Sequence, residues 1–168
     1  MKKLIAIALC ALCLFSLAAC GSRAPAAEEG SAEVGMVNPF VTYDTLEDAC
    51  AAAGFDFAVP ETIEACPVES IQVMNNSLIQ ITYYDSEADG NRVVLRKAAG
   101  VDDISGDYNE YPTVSTVDFN GVNVIMRGEN DTFSGAIWTA DGASYSVQFD
   151  IPVTDAAILA VVDAVQSI

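Results

Sequence analysis

The stretch VSTVDFNGVNVIMR, Val114 to Arg127, decides the fold. Two runs of strand-forming residues, Val114–Phe119 and Val122–Arg127, flank Asn120-Gly121. Asn-Gly favours the left-handed backbone of a two-residue β-hairpin turn, so the runs are expected to pair antiparallel. The same pattern continues on both sides. Downstream, Phe133–Thr139 meets Asp141-Gly142 and Ser144–Asp150 returns, with Tyr145, Val147 and Phe149 on one face and Ser144, Ser146 and Gln148 on the other. Upstream, Val68–Met74 runs to Asn75-Asn76, Leu78–Tyr84 runs to the turn Asp85–Asn91, and Arg92–Ala98 follows. About seven antiparallel strands are predicted. Asp102–Tyr111 (DDISGDYNEY) interrupts the series as a loop or a single helical turn.

A helix is expected at each end of this series. Asp44 and Glu47 have the spacing of a capping box, and Leu46, Ala49, Cys50 and Ala53 share one helical face before Gly54. Thr154 caps a closing helix with the stripe Ile158, Val161, Val162, Val165 and Ile168. The fold class is therefore α+β: an antiparallel sheet of about seven strands in hairpins, with an N-terminal and a C-terminal helix packed on one face.

Ahead of the folded part stands a different kind of segment. Met1-Lys2-Lys3 is a basic start, and Leu4–Leu17 is an uncharged apolar run too short to span a bilayer. Leu17-Ala18-Ala19-Cys20 resembles the lipobox of bacterial lipoproteins, which implies lipid on Cys20 and removal of residues 1–19. Residues 20–37 are mostly Ala, Gly, Ser and Glu, with one Pro and almost nothing to bury, and read as a flexible tether of roughly 20–25 Å reach. Residues 38–168 are expected to be one domain. Loss of Lys2 and Lys3 leaves five basic residues against 24 acidic ones, a net charge of −19. That balance argues against nucleic acid, whose phosphates require Lys and Arg, and against lying flat on anionic lipid. The membrane partner is then reached through the lipid on Cys20, on the extracytoplasmic side.

Two cysteines, Cys50 and Cys66, remain after the leader and Cys20 are set aside. In an exported compartment they are expected to form a disulfide, with two buried free thiols as the alternative. Histidine is absent, which removes Ser-His and Cys-His nucleophilic systems and His-based metal sites. No phosphate-binding glycine loop occurs, and no cofactor or metal site is expected. Asp85–Gly90 resembles half of an EF-hand loop but has Arg96 at the twelfth position, so it is read as a hairpin turn. Asp107, Tyr108 and Tyr111 form the candidate ligand or partner loop, since tyrosine offers an apolar face and a polar tip beside carboxylates. The competing reading folds one or both tyrosines inward. Trp138 is expected in the core, and Arg96 and Arg127 are expected to face carboxylates across the sheet.

The segments LEDACAAAGFDFAVPETI, DDISGDYNEY, VDFNGVNVIMRG, AIWTADGASYSVQF and the closing VVDAVQSI resemble, in that order, the DUF4367 family of bacterial extracytoplasmic domains. The resemblance spans roughly Asn38 to Ile168. It implies an α+β domain outside the cytoplasm and supplies no catalytic residues. The function expected is a lipid-anchored binding or sensing module without enzymatic activity, for an envelope protein, a glycan or a basic peptide. A carboxylate-based glycan hydrolase and a purely structural envelope component are the alternatives.

Overall fold

The chain builds its sheet from two meanders that meet in the middle. In the computed structural model, which describes residues 38–87 and 90–166, the first meander holds β1 (Phe40–Tyr43), β2 (Thr62–Ile63), β3 (Cys66–Met74), β4 (Leu78–Asp85) and β5 (Asn91–Ala99). The second holds β6 (Thr113–Phe119), β7 (Val122–Glu129), β8 (Thr132–Ala140) and β9 (Ala143–Val153). All neighbours are antiparallel, in the order β1-β3-β4-β5-β9-β8-β7-β6, with β2 paired to the start of β3. The seven long strands are those the alternation predicts. Two short ones, β1 and β2, raise the number to nine, a correction to the expected seven. The signals that lie on residues 1–37, including Cys20, and on Ile168 fall outside the described residues.

Both hairpin dipeptides do what their chemistry demands. Asn120 and Gly121 sit at φ 54° and 82°, and Asp141 and Gly142 at 51° and 74°. β4 and β5 pair antiparallel as a hairpin, with Asp85 and Asn91 opposite each other at its end.

Helix α1 (Leu46–Ala53) is capped by Thr45, whose hydroxyl accepts from the Asp48 amide at 3.1 Å. The cap thus lies one residue beyond the Asp44 expected from spacing, because Thr45 is the residue with extended backbone. Gly54, at φ 79°, closes the helix by donating to the Cys50 carbonyl. Helix α2 (Asp155–Gln166) buries Ile158, Val161, Val162 and Val165, the expected stripe. The helices cover different halves of the sheet: α1 lies against β1, β3 and β4, and α2 against β8 and β9. Their apolar residues join one core with Ile79, Ile81, Tyr83, Val93, Leu95, Met126, Trp138 and Val147. Trp138 is 2% exposed and stacks on Tyr145 at 5.3 Å, so it is core, as expected. Lys97 at the core margin is ringed by Phe55, Phe57 and Tyr145, and its Nζ donates to the Asp56 carbonyl at 2.6 Å. That contact pins the segment after α1 onto β5.

Cys50 and Cys66 are free thiols, so the expected disulfide is not formed. The two residues have different surroundings. Cys50 is half-buried beside Leu46 and Phe55, whereas the buried Cys66 Sγ lies 3.6 Å from the Glu64 and Asn91 carbonyls. Burial first, then Asp85 and Glu64, pushes the Cys66 thiol above its ordinary pKa. A protonated, enclosed sulfur is an inert one.

Candidate functional site

The order of the strands sets the site. β5 lies mid-sheet and β6 lies at the far edge, so the chain between them must pass β9, β8 and β7. Four inter-strand spacings of about 4.8 Å make that a crossing of roughly 19 Å. Residues 100–112 make it across the face opposite the core, where Arg96, Arg127, Ser146 and Gln148 alternate with the inward residues. The loop is held there by side chains rising from the sheet. Arg96 Nε donates to Gln80 Oε1 at 2.8 Å, and its Nη1 donates to the carbonyls of Ile104, at 3.1 Å, and Ser105. Arg127 Nη2 meets Asp103 Oδ2 at 2.9 Å. Arg127 therefore finds a carboxylate from the loop, and Arg96 finds neutral acceptors, where cross-strand carboxylates were expected for both.

Behind Arg96 runs a ladder of polar side chains across four strands. Gln80 donates to Gln72 at 3.1 Å and Gln72 to Thr42 at 3.3 Å, following the register Thr42↔Gln72↔Gln80↔Arg96. The parallel row two residues along, Phe40↔Met74↔Leu78, is apolar. Between these rows and the loop opens a groove of about 540 Å³ lined by Phe40, Met74, Leu78, Arg96, Ile104 and Tyr108, with Asp103, Ser105, Gly106 and Asp107 completing its rim.

The two tyrosines of the candidate loop have opposite fates. Tyr108 is 96% exposed at the mouth of the groove. Tyr111 is half-buried and donates to Asp107 Oδ2 at 2.7 Å, so it belongs to the loop's internal bracing. Asp107 Oδ1 also accepts from the Asn109 amide and side chain, and Asp103 Oδ1 accepts from the Ser105 amide and hydroxyl. Burial alone would raise both carboxyls; the hydrogen bonds outweigh it and hold Asp103 and Asp107 below the usual carboxylate range. Tyr111 moves up, through burial and then its bond to the Asp107 carboxylate. Arg96 is lowered by burial and by the nearby Arg92 guanidinium.

Sequence reading finds Asp107, Tyr108 and Tyr111 and misses Arg96, Phe40, Met74, Leu78 and Gly106. One signal does exist: Arg96 is one of only four basic residues between 38 and 168, and it alternates outward on a strand rich in apolar residues. Among the described residues no group of three Cys, Asp or Glu converges as a metal would require, and no helix is long and apolar enough to cross a membrane. The chain matches no family model, no curated protein and no solved structure.

Proposed function

We propose that residues 38–168 form an extracytoplasmic binding or sensing module, held at a membrane through lipid on Cys20, whose ligand occupies the groove between the crossing loop and the sheet. The observation that carries this reading is the groove itself. A loop latched to the sheet at Arg96 and Arg127 still leaves about 540 Å³ unfilled beside a 96% exposed tyrosine. Small-molecule sites have this form: an apolar floor, few polar groups and a volume of roughly 300–1,000 Å³.

A hydrolase would need one carboxyl kept protonated at neutral pH. Asp103 and Asp107, the acids bordering the groove, are shifted the opposite way. Binding is therefore the favoured reading. The test is a thermal-shift screen of the purified protein against glycans, cell-wall fragments, peptides and small organic acids. A ligand at a hundred times its dissociation constant stabilises by about 2.7 kcal/mol, which raises the unfolding midpoint visibly. The expected result is a shift that Tyr108→Ala diminishes. A ligand whose shift is unchanged in Tyr108→Ala, with its contacts mapped elsewhere, overturns the assignment.

A further inference from the structure

What the groove accepts is decided by the one cation among the described residues that line it, and this inference rests on the binding reading above. Between residues 38 and 168 the basic side chains are Arg92, Arg96, Lys97 and Arg127. Arg92 pairs with Asp150 and Arg127 with Asp103. Lys97 is held by three rings and a carbonyl. Arg96 lines the groove, and every acceptor it has among the described residues is neutral: the Gln80 amide and two loop carbonyls. In a chain with 24 carboxylates, it meets none of those described. Of its five N–H donors, those on Nη2 have no acceptor among the described residues.

Neither acid on the rim pairs with Arg96. Asp103 spends one oxygen on Ser105 and the other on Arg127, and Asp107 spends one on Asn109 and the other on Tyr111. On the other side of Arg96 the floor is apolar, made by Phe40, Met74 and Leu78 from three adjacent strands.

We propose that the groove binds a small amphipathic carboxylate, whose carboxylate accepts from Arg96 and whose apolar body lies on Phe40, Met74 and Leu78 against Tyr108. A guanidinium partly withdrawn from water without a counter-ion is unfavourable, and a carboxylate satisfies it with charge-assisted hydrogen bonds that no neutral group matches. A cationic ligand would meet Arg96 as a like charge and find both rim acids already engaged. A neutral sugar would leave the guanidinium uncompensated and place hydroxyls on an apolar floor.

The chain from residue 20 onward, with Cys20→Ser to keep it free of lipid, is titrated with octanoate, octanamide and the free-acid tripeptide Leu-Leu-Leu while backbone amide signals are followed. Octanoate is expected to move the signals of Phe40, Met74, Leu78 and Tyr108, and to bind about tenfold more tightly than octanamide. Met74→Glu, which sets a negative charge in the floor without touching the loop anchors, is expected to abolish octanoate binding and spare more of the octanamide binding. Arg96→Lys, which keeps the charge but loses the fork, is expected to weaken octanoate by about tenfold. Equal affinity for octanoate and octanamide at these four residues overturns the carboxylate and leaves the groove standing. Capture of the tripeptide without octanoate overturns the small-molecule assignment in favour of a peptide C-terminus. If octanoate, octanamide, the tripeptide and the thermal-shift panel all leave the four signals unmoved, the binding reading itself is overturned.

Discussion

Gly106 is the residue on which the loop's closeness to the sheet depends. At φ +65° it occupies the left-handed region, and a Cβ added there would stand 2.8 Å from Arg96 Nη1. Gly106→Ala is expected to destabilise by about 1–2 kcal/mol from backbone strain alone, read as a lower urea midpoint, with the signals of residues 102–111 displaced. An unchanged midpoint would show that the loop has another way to lie. Asp103, Asp107 and Tyr111 give the same loop a pH window. A carboxyl with a lowered folded pKa stabilises above its unfolded value, about 3.9, and that stabilisation is lost as pH falls through the lowered value. Tyr111, raised, contributes below about 10 and is lost as pH climbs through its folded value. The loop is therefore expected to stay latched from roughly pH 4 to pH 10. Loop amide signals that moved to exposed positions near neutrality would contradict it. The pairing of Tyr108 with Tyr111 in sequence gave no hint that one faces water and the other braces Asp107, because both choices suit a loop tyrosine.

Among the elements, what could be read in advance followed local chemistry. The long strands announce themselves by alternation and by Asn-Gly, Asp-Gly and Asn-Asn turns, each of which carries positive φ in the structure. β2 escapes because its hairpin turns on Glu64 and Ala65, at φ 49° and 63°, two residues that carry no preference for that backbone. Ala65→Gly is accordingly expected to stabilise the protein by up to about 1 kcal/mol, by removing the left-handed strain on a Cβ. Chemical denaturation measures it, and a loss of stability would place the weight on the unfolded chain's entropy instead. The pairing of β5 with β9 leaves no local trace either, since two meanders can dock through any pair of edges. The groove follows from that pairing. Strand register gathers Phe40, Met74, Leu78 and Arg96, and Tyr108 joins them only through the crossing loop, so no window of sequence contains all five.

At the scale of the whole molecule, charge is the dominant feature. A formal net charge of −17 for the full chain means that the folded state works against its own repulsion. Adding salt from about 0.01 M to 0.15 M shortens the Debye length from roughly 30 Å to 8 Å. The unfolding midpoint is expected to rise over that range, and a fall would mean that its few ion pairs matter more than the general repulsion. The first strand also gives the molecule a weak direction under load. β1 is a four-residue edge strand hydrogen-bonded within the sheet to β3 alone, and Phe40, its first residue, is one wall of the groove. Tension applied at Asn38 reaches Phe40 before it reaches any other part of the sheet. Peeling β1 away removes that wall while the seven long strands stay zipped together, so a stretched chain would open the groove well short of unravelling.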